Sequence, residues 1–594
     1  MKKILITAAL ATLICSCLSA PKSQPLVNGK DLSSGHSETP VAVPLPAAVD
    51  FDLQGFVDAR LKTERRVVVP PGRYRVTPKH GVHLRLKDLA DVEVIADGVE
   101  IVCAHTSQVV VFENCRNVLL RGLTVDFDQL PFTQGRIVAM APDKKWVEFE
   151  ILAGYPENEL EERIEIFDPA TGELRRETAG WEKQIESLGN HRYRATKANS
   201  YRYREDWDTE RVGDILVTNH RFPSGTTGHA FSAGNCTKLR VEDVTLYAAS
   251  IFGFVEHDCD ASTYLRCKID RRTPANDPVK RAVPRMRSLN ADAFHSSGAV
   301  QGPAIIGCSA KFQGDDCVNI HGSYHLVTAS EGAQLRIAVL RRNTIEPGDP
   351  VEFLPFAGQR PKDAVAVKVE PDAPITEAEK EFIRTLSLHA PHKERLLTGQ
   401  ATFVKLTLDR AVPLAMGSAV CSGKRVGNGF LVKDCDFGYN RSRGILIKAS
   451  RGQVVGNKIS HGWMAAVLVA PEFWWMEAAS ASDVEIRDNV IVGCRRPAIE
   501  IIAPGGNGKP LPSGAHRNIV VTGNQITESA WPNIYVTSTE RLQIQGNRLT
   551  PAAPREFVPP LAHLWSWGAK APSPIVTEQC EGALVQSTDT SAPR

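Results

Sequence analysis

Asn290–Gly322 reads NADAFHSSGAVQGPAIIGCSAKFQGDDCVNIHG, and it matches itself. Asp292-Ala-Phe-His-Ser-Ser-Gly298 falls on Asp316-Cys-Val-Asn-Ile-His-Gly322, an offset of 316 − 292 = 24 residues. Self-similarity at a period of 20 to 50 residues marks a solenoid. If each repeat is one coil, neighbouring strands stack about 4.8 Å apart. Asp292 and Asp316 then lie one above the other, with Asp315 beside them. Like charges held this close raise at least one pKa, which makes the three carboxylates functional candidates. The plainer alternative is an aspartate ladder at strand ends, solvated or binding a cation.

The repeat continues on both sides. Val67-Val-Val-Pro-Pro-Gly-Arg-Tyr-Arg-Val76 reads as a β-run, a Pro-Gly turn and a second β-run. Val92-Glu-Val-Ile95 and Val118-Leu-Leu-Arg121 follow at 118 − 92 = 26. His229-Ala-Phe231 and Phe254-Val255 lead into Asp292-Ala-Phe294 and Val318, with intervals of 24 at 255 − 231 and 318 − 294. In the second half, Gly456-Asn-Lys-Ile459, Asp488-Asn-Val-Ile491, Gly523-Asn-Gln-Ile526 and Gly546-Asn-Arg-Leu549 share one signature. Asn suits a tight corner, where its amide bonds backbone or the Asn of the next coil. Short aliphatic runs lie between: Gly444–Ile447, Ala466–Val469, Ala498–Ile501 and Asn533–Val536. The pattern predicts an all-β chain, a right-handed parallel β-helix whose stacked coils bury a continuous core.

Two stretches break the period and are expected to be small β-barrel-like domains inserted between coils. The predicted division is N-terminal coils over 51–130, a first inserted domain over 131–225, coils carrying the carboxylates over 226–322, a second inserted domain over 323–426, C-terminal coils over 427–550, and a cap with a loose tail over 551–594. A shared Gly-Asp before a β-run, Gly213-Asp214 and Gly348-Asp349, hints that the two insertions are related. The second also carries a helix start, with Thr376 and Glu379 spaced as a capping box.

The N-terminus reads as a targeting segment. Lys2 and Lys3 precede the apolar stretch Ile4–Cys15, which is too short to span a membrane well. Ile14-Cys15-Ser16-Cys17 resembles a bacterial lipobox, giving a signal over 1–17 with Cys17 lipidated. Cleavage after Ala20 is the alternative. Residues 18–50, rich in Ser, Pro and Gly, read as a tether. The expected location is therefore the cell envelope, as an exported lipoprotein, with membrane contact only through the lipid. Removing Cys15 and Cys17 leaves 13 − 2 = 11 cysteines, an odd number that argues against a full disulfide framework. Several fall at equivalent repeat positions (Cys115, Cys267, Cys308, Cys435) and read as buried, stacked small side chains. Basic residues number 70 and acidic 68, with no basic run, so nucleic acid is excluded as a partner.

Clustered carboxylates suit glycoside hydrolysis, which needs one protonated carboxyl at the leaving oxygen and another to attack or to activate water. Crowding keeps one group protonated while a neighbour stays charged. Asn290-Ala-Asp292 followed by Gly314-Asp315-Asp316-Cys-Val-Asn-Ile-His-Gly322 resembles the glycoside hydrolase family 110 α-1,3-galactosidases, over about residues 50 to 550. The resemblance implies a β-helix enzyme with inserted β-domains that removes terminal α-1,3-linked galactose with inversion, without a cofactor or metal. It implies Asp315 as general acid, with Asp292 and Asp316 holding and activating water, and galactose-terminated glycans of the host mucin or glycoconjugate type as partners.

Regular strand alternation would point Asp315 away from the column shared by Asp292 and Asp316. Further candidates for contacting the sugar are His295, Asn319, His321, Lys448, Glu472, Trp474 and Trp475, with Glu500, Glu256 and His257 behind them. Trp offers a broad ring face for the apolar face of galactose. Lys448, Glu472 and Glu500 read more readily as solvated surface than as ligands. Two other readings stay open. One is a pectin hydrolase like the polygalacturonases, whose Arg-Ile-Lys string Arg443-Gly-Ile-Leu-Ile-Lys448 faintly echoes, although their Gly-His-Gly segment is missing. The other is a non-catalytic β-helix glycan-binding surface protein.

Overall fold

The computed structural model describes residues 45–157, 160–176, 184–197, 210–220, 228–550 and 573–586. The signal segment, Cys17 and most of the tether lie outside the described residues. The tether ends earlier than residue 50: Val49–Asp50 already pairs in parallel with Tyr74–Arg75. A helix over Leu53–Leu61, capped by Asp52, then buries Leu53 and Val57 before the coils begin.

The coils form a parallel β-helix. One sheet has twelve strands, parallel throughout apart from Glu477–Ala478. Its rungs run through Phe231–Gly234, Phe254–His257, Phe294–Ser297, Val318–Ser323, Ile445–Ile447, Val467–Val469, Ile499–Ile501 and Ile534–Thr537. Phe231 pairs with Phe254, Phe254 with Phe294, Phe294 with Val318, and Val318 with Ile445. The 24-residue interval therefore holds at 318 − 294, while 254 − 231 is 23 and 294 − 254 is 40. The longer step is absorbed by the excursion before Asp292. A parallel sheet of 22 strands faces this one, and the aliphatic and Phe side chains between them form one core along the axis.

Side-chain ladders hold the corners. Cys267 N donates to Cys308 Sγ at 3.3 Å, and Cys435 N to Asn457 Oδ1 at 3.0 Å. The column continues through Asn489, Asn524 and Asn547, each amide bonding the next at 2.9 Å. A second column links Cys115, Cys236 and Cys259. All eleven described cysteines are free thiols, and ten are buried. The corners also use the left-handed conformation at Asn114, Asn235, Asp434 and Asp488, which short polar side chains tolerate best.

Between the rungs Gln108–Glu113 and Phe231–Gly234 lies an antiparallel sheet of seven strands, from Phe132–Met140 to Ile215–His220. Between Val318–Ser323 and Ile445–Ile447 lies a closed barrel of six strands, from His325–Glu331 to Ala419–Ser422, with its own core. The helix Glu377–Thr385 starts on the Thr376/Glu379 capping box. Gly213-Asp214 and Gly348-Asp349 make the same turn: each Asp Oδ2 accepts from the backbone N–H three residues earlier. The coils do not stop at residue 550. Ile575–Glu578 stacks on Ile534–Thr537, and Leu584–Gln586 on Gln543–Gln545. The 575 − 534 = 41 step, with a proline-rich stretch inside it, hides this last coil in the sequence.

Candidate active site

The stacking of rungs builds the site. Phe294, Val318 and Ile445 are partners on successive coils. Two residues before each stand Asp292, Asp316 and Arg443, and the backbone ladder confirms the match: Ala293 N donates to Asp316 O, and Cys317 N to Arg443 O. One column therefore reads carboxylate, carboxylate, guanidinium. Asp316 N donates to Asp292 Oδ1 at 3.3 Å, and Arg443 N to Asp316 Oδ1 at 2.7 Å. The Arg443 guanidinium lies 3.1 Å from Asp316 Oδ2.

Asp315 does not point away from this column. Residues 314–317 precede the strand Val318–Ser323 and are irregular, so strand alternation does not apply. Asp292, Asp315 and Asp316 each turn one carboxylate oxygen inward, all within 4.8 Å of one another. Asp292 and Asp316 are buried, and Asp315 is partly exposed, with Oδ2 accepting from Arg441 at 2.9 Å. Gly314 is needed here by close approach: a Cβ would meet Asn290 O at 2.8 Å and Glu165 at 3.2 Å. Asn290 itself is structural. Its Nδ2 donates to Pro131 O and Ser250 O, and its Oδ1 accepts from Arg287, which also binds Glu165 of the seven-stranded sheet.

Burial raises the Asp316 pKa to about 8, with Asp292 and Asp315 adding to the rise against the pull of Arg443. Burial also raises Asp292, opposed by its bond to His295. The three oxygens form the metal-compatible group found among the described residues. Arg441, Arg443 and His295 already bring cationic groups against it, which works against a divalent ion there.

His295 Nδ1 donates to Asp292 Oδ2 at 2.8 Å, and its Nε2 lies 3.0 Å from His321 Nε2. His321 Nδ1 donates to Gly322 O at 2.6 Å, so its Nε2 accepts. His295 therefore donates from both nitrogens, as an imidazolium does. The pKa directions agree. Burial works against the His295 charge, but Asp292 raises it above the usual histidine value; burial lowers His321 to about 3.

Several candidates lie deeper than the sequence implied. Lys448 is fully buried, not solvated: its Nζ sits 3.0 Å from Glu472, 2.8 Å from Glu477 and 3.1 Å from Asn319. Burial opposes its charge, yet Glu472 and Glu477 raise its pKa. Glu472 also faces Arg443 at 3.4 Å. Glu500 is fully buried, with Arg496 at 3.8 Å as its ion-pair partner. Glu256 is a buried hydrogen-bond acceptor for Ser296 and Tyr264, and His257 bonds Ser297. Trp474 and Trp475 are exposed.

Sequence reading missed Arg441, Arg443 and Glu477 as site residues. Carrying the self-alignment one coil further, across the barrel at 443 − 316 = 127, places Arg443 on Asp316 and Lys448 on His321.

A parallel β-helix with three convergent carboxylates on adjacent rungs, framed by arginines and a histidine chain, is the class that fold and site define. Within it, the chain is homologous to curated α-1,3-galactosidases, in agreement with the resemblance to glycoside hydrolase family 110. It is 22% identical over 557 residues to alpha-1,3-galactosidase B of Bacteroides thetaiotaomicron, covering 84% of this chain and 83% of that one. It is 20% identical over 556 residues to alpha-1,3-galactosidase A of Bacteroides fragilis, covering 84% of each. Alpha-1,3-galactosidase B of Akkermansia muciniphila is 22% identical, over 87% of this chain and 62% of that one. No family model matches. Matched solved structures include the A-module of a mannuronan C-5 epimerase of Azotobacter vinelandii (12% identity, TM-score 0.36, 93% of this chain and 98% of that one). Another is the catalytic domain of a GH87 alpha-1,3-glucanase (8% identity, TM-score 0.33, 94% and 69%).

Proposed function

We propose that the protein is an exo-acting α-galactosidase that hydrolyses terminal α-1,3-linked galactose from glycans with inversion. The observation that carries this is the division within the carboxylate cluster. Asp292 and Asp316 are stacked and buried, while Asp315 is partly exposed at their edge. Asp315 gives its proton to the glycosidic oxygen as the C1–O bond breaks, and the bonding pair leaves with that oxygen. In this reading water attacks C1 from the opposite face and loses its proton to the Asp292/Asp316 pair. The inward oxygens, within 4.8 Å of one another, are closer than the roughly 6.5–9.5 Å that inversion uses, so the mechanism requires the Asp315 carboxyl to swing away from the pair when the sugar enters. The raised pKa values suit a pair that holds one proton between two carboxylates: the ionised member is the base and its neighbour keeps the proton. Proton exchange with solvent then resets Asp315 and the pair. Until then Arg441, 2.9 Å from Asp315 Oδ2, holds the carboxyl at the edge of the pair.

In this reading Arg443, Glu472 and Lys448 form the charged floor beneath the galactose, and His295, Asn319 and His321 hold that floor in place. The seven-stranded sheet and the barrel are inserted domains that wall the cleft. The glycans are galactose-terminated host mucins or glycoconjugates, met at the cell envelope by a lipoprotein anchored at Cys17. Labelled palmitate incorporated by the wild type and absent from Cys17→Ala checks the anchor.

Galactose release from α-1,3-galactobiose, with the anomer followed by NMR, tests the function. We expect the β-anomer first, and loss of release with Asp315→Asn. An aryl α-galactoside with a good leaving group needs no acid, so Asp315→Asn should keep turnover of it while Asp292→Asn loses both substrates. Release that survives Asp315→Asn on galactobiose removes Asp315 from the acid role. Initial release of the α-anomer removes inversion.

A further inference from the structure

The segment Glu472–Glu477 is a small hairpin. Glu472 N donates to Glu477 O, and Glu477 N to Glu472 O, both at 3.1 Å. The two glutamates grip the same buried Lys448 Nζ at the cleft floor. Phe473 and Met476 are buried among the residues that join the barrel to the coils. Trp474 and Trp475, at the tip, are left 43% and 40% exposed. The two rings meet edge to face at 4.4 Å, and His389 packs on both, at 4.8 and 4.4 Å. His389 N donates to Trp474 O at 2.9 Å, which ties the tip to the helix Ala390–Leu397 beside the barrel. The half-buried His392 completes the group, 5.1 Å from His389.

A hairpin this firmly anchored has little reason to expose two indoles. Large apolar rings are expensive to leave in water, and the hairpin fixes them rather than letting them fold back. The surface is aromatic yet edged with ring N–H groups, which suits a pyranose with one apolar face and a hydroxyl rim. The hairpin itself ties back to the carboxylates: Asp316 bonds Arg443, Arg443 faces Glu472 at the hairpin's base, and Trp474 is two residues along the chain from it. The indoles stand outside the floor that Lys448 and Glu472 form, so a ring stacked on them is not the one whose bond is cleaved.

We propose that Trp474, Trp475, His389 and His392 form an aromatic platform at the mouth of the cleft. The platform stacks sugar rings of the glycan beyond the terminal galactose and selects extended glycans over short galactosides. This rests on the glycosidase reading for the position of the scissile bond, but ring stacking does not need turnover.

Two measurements separate the ideas. The first compares kcat/KM for a galactose-terminated oligosaccharide of four or more sugars with that for an aryl α-galactoside. In Trp474→Ala/Trp475→Ala the ratio of long to short should fall about tenfold or more, through KM. The second is calorimetric binding of the same oligosaccharide to Asp315→Asn, alone and combined with the double tryptophan change. Affinity should drop about tenfold or more, and this arm reads the platform even if the wild type cleaves no galactoside. An unchanged ratio together with unchanged affinity overturns the platform. So does a wild type that dimerises in sedimentation while the tryptophan variant is monomeric, because the surface then belongs to a second copy of this chain.

Discussion

Two positions of the same coils behave in opposite ways. At one corner, successive coils repeat a small set of side chains: Cys267, Cys308, Cys435, then Asn457, Asn489, Asn524 and Asn547. Each passes its hydrogen bond to the next. At the turn before each rung of the twelve-stranded sheet, the matching position changes with nearly every coil: Asp292, Asp316, Arg443, Ala465. Where the chain only has to stack, one good answer is reused. Where the carboxylates converge, the repeat is abandoned and unlike charges come to share a column. In a solenoid, departure from the repeat is therefore more telling than the repeat itself.

The largest test of this contrast is at the divergent turn. Asp292→Asn and Asp315→Asn should each lower kcat/KM on α-1,3-galactobiose by about 10²–10⁴-fold, with the melting temperature of Asp315→Asn close to the wild type and that of Asp292→Asn shifted by the loss of the carboxylate facing His295. Next is Arg443→Met. It strips Asp316 of its cation and leaves Glu472 to Lys448 alone, in a buried setting where removing one partner costs about 3–5 kcal/mol. Chemical denaturation should show a loss of that size, against far less for an exposed pair such as Arg60–Glu64. At the repeating corner, Asn489→Ala leaves a buried backbone N–H and a neighbouring amide unpaired, at about 1–3 kcal/mol, with kcat unchanged. The smallest effect is expected for Cys435→Asn, which carries the asparagine ladder one coil further; a change of about 1 kcal/mol, the net value of one intramolecular hydrogen bond, fits a corner that accepts either side chain. A large loss of activity from either corner change would break the contrast.

The pH response sharpens it further. Asp316 has its pKa raised to about 8 in the folded chain, while an unfolded aspartate titrates near 3.9. Between about pH 4 and 8 the folded state holds a proton that the unfolded state has released, so this residue costs stability as pH rises through that window. The melting temperature of the wild type relative to Asp316→Asn should fall steadily across it. A flat difference would mean that Asp316 is ionised in the fold.

Much of this was readable from the chain. The 24-residue self-match put Asp292 and Asp316 on stacked coils, and the Gly-Asn and Asp-Asn corners appeared as a column because each coil repeats them. Two kinds of feature were hidden. Arg443 and Lys448 belong to the next rung, but the barrel separates them from it, and no local period spans that distance. The inward turn of Asp315 and the burial of Lys448 and Glu500 depend on what covers a position, which alternation and residue type do not state. Lys448 resembles any surface lysine until Glu472 and Glu477 close over it.

The rungs also say where this chain can change length. From one to the next the chain spends 23, 40, 24, 127 and 22 residues (254 − 231, 294 − 254, 318 − 294, 445 − 318, 467 − 445), and the register survives every step. Insertions and deletions between rungs are thus nearly silent for the scaffold, while one added residue between Asp316 and Val318 would move a carboxylate out of its column. A lineage of such chains can trade whole segments between rungs again and again and keep the same three aspartates in register.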